Sequence, residues 1–185
     1  MENFRSPLAV ILFVGTTLVG LGADMATKVA AFRDLHPMIM SEPGGRVVVY
    51  YSDTYQLVPG WLEFTCTANQ GAVFGIGQGQ RTLFIVVSIL AIGFLSALFA
   101  RSGKQRGYQF ILGMLLAGVL GNMIDRVTLG YVRDMIHGLP RWPALFPWIF
   151  NVADSMLVVG VTLMIIRGFV VGENKNAVVA TPAES

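Results

Sequence analysis

What the chain has little of narrows it first. Cys66 is its single cysteine, so no intrachain disulfide can close and no thiolate cluster can form. His36 and His137 are its only histidines. Zinc sites draw three or four ligands from His, Cys and carboxylates, so neither a metal nor a cofactor is expected. Charged residues make up 13% of the chain, against roughly 25% in an average soluble domain. The net charge of +2, with no long basic cluster, gives no reason to expect a nucleic-acid partner. No serine, cysteine or histidine is placed to build a nucleophilic triad.

What is present is apolar. Hydrophobic residues make up 54% of the 185, and the mean hydropathy is +0.63. This is the composition of an integral membrane protein. About 20 residues cross the hydrocarbon core as a helix, and four stretches qualify: residues 7–31, 82–100, 107–126 and 147–167. The first is preceded by the barely basic MENFR and runs long, which favours a retained span over a cleaved signal peptide. Residues 32–81 form an outer loop with turn residues (Pro37, Pro43, Gly44, Gly45, Pro59, Gly60) and two β-type runs, 47–51 and 61–67. They predict a small hairpin or sheet on the membrane, with Tyr50, Tyr51 and Trp61 near the headgroups. The expected fold is therefore an all-α membrane protein. It is a four-helix bundle with a small β-hairpin or sheet between helices 1 and 2, in one domain over residues 1–172. The polar tail, 173–185, is expected to be disordered. Arg101, Lys104 and Arg106 crowd one short loop, which marks the cytoplasmic side and places both termini there.

Charge inside apolar spans is costly and usually has a use. Asp24 and Lys28 stand four apart, in the favourable order for an ion pair at the headgroups. Asn122, Asp125 and Arg126 share a face at the end of the third span, where the plain reading of Asp125 and Arg126 is an ion pair closing the helix. Asp134 follows in GYVRDMI; its neighbour Arg133 should point away from it. The proline- and tryptophan-containing connection 136–148 reads as an interfacial loop or a lid. Asn151 and Asp154 share a face about one or two turns in from the outer end of the fourth span. The expected topology gathers all of these at the outer end, with Asn69 and the glycines of NQGAVFGIGQG beside them and almost nothing polar in the inner half.

Asp134 and Asp154 are the least neutralised acids. Two carboxylates that meet cannot both ionise comfortably, so they share a proton and titrate as a unit. One member then takes a proton from water while the other donates to a carbonyl oxygen. A transporter or proton relay is an alternative use of such acids, and a scaffold packed through Gly113, Ala117, Gly118 and Gly121 is another.

These pieces, in this order, resemble the lipoprotein signal peptidases (signal peptidase II): Asp24 and Lys28, then NQGAVFG, GNMIDR, GYVRDMI and FNVADS. The resemblance covers most of the chain. It implies an aspartic endopeptidase of the bacterial inner membrane, multi-pass, with its active site at the outer face. The implied substrate is a diacylglyceryl-modified prolipoprotein, cut before the lipidated cysteine. Membrane lipids would surround a monomer. The implied catalytic residues are Asp134 and Asp154, with Asp24, Lys28, Asn69, Gly71, Asn122, Asp125, Arg126, Asn151 and Ala153 lining or bracing the site. Two departures stand out. Met135 replaces an expected phenylalanine, and the outer segment between Asp34 and Asn69 is longer than in typical members.

Overall fold

The computed structural model describes residues 6–71 and 79–179. Among these residues four helices are long and apolar enough to cross a membrane. Helix α1 runs Pro7–Asp34, with a π-type turn at Ile11–Gly15. Helix α2 is Arg81–Ala100, α3 is Arg106–Thr128 and α4 is Val152–Val179. Helix α4 thus extends beyond the expected end of the span and into the tail expected to be disordered; residues 180–185 lie outside the described residues.

Helix α3 sits at the centre. The other three pack around it and turn long apolar faces outward, including Val19, Leu90, Phe94 and Phe169. This inside-out arrangement suits lipid, which is as apolar as the side chains it meets. Helix association then depends on close backbone approach. The small residues of α3 provide it. A Cβ at Gly118 would stand 2.7 Å from the Ala153 carbonyl oxygen, and one at Gly113 would stand 2.5 Å from that of Phe13. Leu95, Ile111, Leu112, Leu115 and Leu116 fill the space between helices with Phe13, which stacks on Phe99 at 4.1 Å.

The expected small hairpin or sheet is present, but the fold is not purely all-α and the strands are not confined to the outer loop. Among the described residues six strands form two antiparallel sheets. Strands β1 (Met38–Ser41) and β2 (Val47–Tyr51) make a hairpin of their own. Strands β3 (Tyr55–Val58), β4 (Leu62–Asn69), β5 (Val132–Gly138) and β6 (Ile149–Phe150) make a four-stranded sheet in that order. The connection after the third span is therefore partly strand, because β4 offers β5 a partner seventy residues away that no local pattern reveals: Thr67 faces Asp134 and Asn69 faces Val132. The fourth span also begins later than residue 147. Ile149 and Phe150 pair with β5, and the helix opens only at Val152. Helix α3 ends at Thr128, and Gly130 just beyond it stops the helix as expected, with a φ of +86° that suits a residue without a Cβ.

Candidate active site

Five segments converge at one end of the bundle: the last turns of α1 and α3, the first turn of α4, and strands β4 and β5 between them. All eleven residues singled out in the sequence lie there.

Asn151 is the N-cap of α4. Its Oδ1 accepts from the Asp154 N–H at 2.9 Å, and Asp154 Oδ2 accepts from the Asn151 N–H at 3.2 Å. This is a reciprocal capping box, with aspartate in the position usually held by Glu or Gln. Asp154 is therefore fixed by the start of its own helix rather than standing a turn or two inside it. Asn122 donates to its other oxygen at 2.7 Å. Asp134 lies on β5, 1% exposed. Asn69 donates to its Oδ2 at 3.0 Å and Asn151 donates to its Oδ1 at 2.6 Å. One asparagine thus touches both acids. Asp134 and Asp154 face a common cavity of about 890 Å³. Burial, then the charge of Asp154 beside it, pushes Asp134 up to about 8.

A second layer is ionic. Lys28 Nζ lies 2.8 Å from Asp24 and 3.3 Å from Asp125, and it donates to Asn122 Oδ1 at 3.2 Å. Lys28, Asp24 and Asp125 are wholly buried within the protein. Asp24 also accepts from the Ala153 N–H at 2.8 Å, neutralising an orphan donor in the first turn of α4. A Cβ at Gly121 would collide with the Asp24 carboxylate, so the glycine makes room for this contact.

Asp125 and Arg126 do not pair with each other. Strand alternation turns Arg133 away from Asp134 and toward Asp125, which accepts from the Arg133 backbone N–H at 3.0 Å and from Nη2 at 2.7 Å. Arg126 points the other way. It donates to the Gly71 carbonyl at 2.8 Å and lies over the Phe84 ring at 4.8 Å. Gly71 in turn donates to Asn69 Oδ1 at 2.9 Å. Gly75 and Gly77 of the glycine-rich loop lie outside the described residues.

Sequence reasoning missed three things here. The pair of Arg133 with Asp125 depends on strand β5 pairing with β4, which no local spacing reveals. The cavity wall contributed by Arg46, Val47, Val48 and Val49 of the hairpin had no local mark. The opposite end of the bundle is also not bare. Gln109, wholly buried, donates to Ser102 Oγ at 3.0 Å and to the Gly103 carbonyl at 2.8 Å. By contrast, the connection read as an interfacial loop or lid does border the site, since Phe146, Pro147 and Trp148 line the cavity.

Fold and site together define a small multi-span helical membrane protein whose buried acids share one cavity at one end of its bundle. The comparisons sharpen that class. The chain belongs to the signal peptidase II family, whose description, Signal peptidase (SPase) II, matches residues 16–170. It is 33% identical over 155 residues to a lipoprotein signal peptidase of Staphylococcus aureus (strain MRSA252), covering 83% of this chain and 88% of that one. It is 35% identical over 115 residues to a lipoprotein signal peptidase of Halothermothrix orenii, covering 62% and 75% respectively. Among solved structures it resembles a bacterial membrane enzyme determined by the in meso method at 2.3 Å, with TM-score 0.72 and 28% identity over 94% of both chains. A second such structure, at 1.9 Å, gives TM-score 0.64 and 27% identity over 89% of this chain and 94% of that one.

Proposed function

We propose that this chain is an aspartic endopeptidase that removes the signal peptide from diacylglyceryl-modified prolipoproteins, cutting before the lipidated cysteine, with Asp134 and Asp154 as its catalytic pair. The observation that carries the reading is the shared cavity. Two acids from separate elements face it together, held by amides rather than by cations.

The roles follow from their settings. Asp134, pushed up to about 8, holds a proton at neutral pH. Asp154 is less buried than Asp134 and sits at a helix N-terminus, where an anion is better tolerated. Asp154 takes a proton from water as the oxygen attacks the scissile carbonyl carbon. Asp134 gives its proton to the carbonyl oxygen, so the intermediate is a neutral diol. On collapse the C–N bond breaks. Asp154 passes its proton to the departing amine of the cysteine, and Asp134 recovers one from the diol hydroxyl. Each carboxyl ends as it began.

The site lies at the end of the bundle beside the sheets. With both termini cytoplasmic, that end faces outward from the bacterial inner membrane, where water reaches the bond while acyl chains stay in lipid. The protein works as a monomer in one domain, and Asn69, Gly71, Asn122, Arg126, Asn151 and Ala153 position the pair. The test is cleavage of a synthetic lipidated precursor by Asp134→Asn and Asp154→Asn. Each is expected to lose activity by a factor of about a thousand or more while remaining folded in the membrane. Full activity in either variant removes that residue from the role.

A further inference from the structure

The two acids belong to different bodies. Asp154 rides on a helix, and Asp134 rides on a sheet. The β4 ladder fixes β5 against β4, with Asp134 opposite Thr67, but not against the helices. Arg133, the residue just before Asp134, supplies that link, and three of its groups are engaged at once. Its backbone N–H donates to Asp125 Oδ2 at 3.0 Å. Its guanidinium grips the same carboxylate, with Nη2 at 2.7 Å from Oδ1 and Nε at 3.2 and 3.3 Å from the two oxygens. Its carbonyl accepts from Asn151 Nδ2 at 3.3 Å, and that same amide donates to Asp134 Oδ1. Residue 133 is thus strapped to α3 on one side and to the N-cap of α4 on the other. Among the described residues the other ion pair on β5, His137 with Glu63, reaches only β4. The Arg133 side chain is not part of the cavity wall.

Resting on the peptidase reading, we propose that Arg133 is a positioning residue of the reaction: by holding β5 to Asp125 of α3, it sets the reach of Asp134 to the scissile carbonyl oxygen without touching substrate. The ion pair draws the strand onto the helix that also supplies Asn122, the donor to Asp154. Both acids are then referred to one rigid element. A misplacement of about 1 Å costs on the order of a hundredfold in a reaction that depends on alignment. The loss belongs in kcat, because Arg133 does not line the space where substrate would bind. Removing its charge also leaves the buried network intact, since Asp125 keeps Lys28 at 3.3 Å.

Two variants of the full-length protein test this on a synthetic diacylglyceryl-modified precursor, each assayed well below its own unfolding midpoint. Arg133→Gln removes the charge and stops short of Asp125. Arg133→Lys keeps the charge, and its ammonium stands one bond beyond the place of Nε, within reach of both oxygens. Arg133→Gln is expected to lower kcat about a hundredfold and to leave KM within about twofold of native. Arg133→Lys, which keeps the cation but not the fork, is expected to recover about tenfold of that loss. The infrared carbonyl band of protonated Asp134 should broaden in Arg133→Gln and narrow again in Arg133→Lys. Native kcat in Arg133→Gln overturns the inference. So does a loss carried by KM, a loss that lysine does not relieve, or an Arg133→Gln protein that fails to fold, which would make the residue structural. A native enzyme that leaves the precursor uncut overturns the peptidase reading instead.

Discussion

The two ends of the bundle bury polar groups of different kinds. At the end away from the sheets, Gln109 and Ser102 are neutral, and their hydrogen bonds hold a tight loop to a helix. At the other end five buried or nearly buried side chains carry charge or can acquire it in the space of a few turns: Asp24, Lys28, Asp125, Arg126 and Asp134. Neutral hydrogen bonds suffice to fasten helices in lipid, so the second arrangement needs another reason. Within it the acids divide again. Asp24 and Asp125 are matched by Lys28 and Arg133. Asp134 and Asp154 accept from asparagines and backbone. The first set builds a neutral platform, and the second is left able to exchange protons.

The largest effect should come from swapping chemistry between those sets. Asparagine at Asp134 or Asp154 costs about a thousandfold or more in cleavage with little loss of fold, because an amide fits among amides. Cleavage rate and thermal unfolding in detergent, measured on the same preparation, separate the two. Next in size, Lys28→Met leaves buried Asp24 without its cation, while Asp125 keeps Arg133, and is expected to destabilise by about 3–5 kcal/mol, read as a lowered unfolding midpoint.

A smaller, graded effect comes from pH. The folded-state value of Asp134, about 8, lies above that of an unfolded carboxylate. The native state therefore binds more protons than the unfolded state in between, and stability falls as pH rises from about 4 to about 8. Asp134→Asn should flatten that part of the stability curve. The smallest change sharpens the comparison from the far end. Gln109→Leu should cost about 1–3 kcal/mol and leave cleavage of the synthetic lipidated precursor untouched.

Much of the site was legible because membrane residence makes polar residues conspicuous. A carboxylate in an apolar run can be found by eye, and helix spacing says which ones share a face. That logic recovered Asp24 with Lys28, and Asn151 with Asp154. It failed where strands decide. GYVRDMI has the alternation of a strand, but its partner is β4, distant in sequence, so neither the four-stranded sheet nor the Asp125–Arg133 pair could be seen. Strand β2 reads as β-type, but its partner β1 does not, and its place on the cavity wall depends on Gln70, a single side chain that accepts from the Val47 N–H and donates to the Gly45 carbonyl.

The central claim is that Asp134 and Asp154 hold one proton between them at neutral pH. Infrared difference spectroscopy of the native protein against Asp134→Asn measures it most directly, through the carbonyl stretch of a protonated carboxylic acid. The account predicts one such band near pH 7, lost in Asp134→Asn and bleached in the native protein as the pH is raised past about 8. A native spectrum at neutral pH with only ionised carboxylates contradicts it.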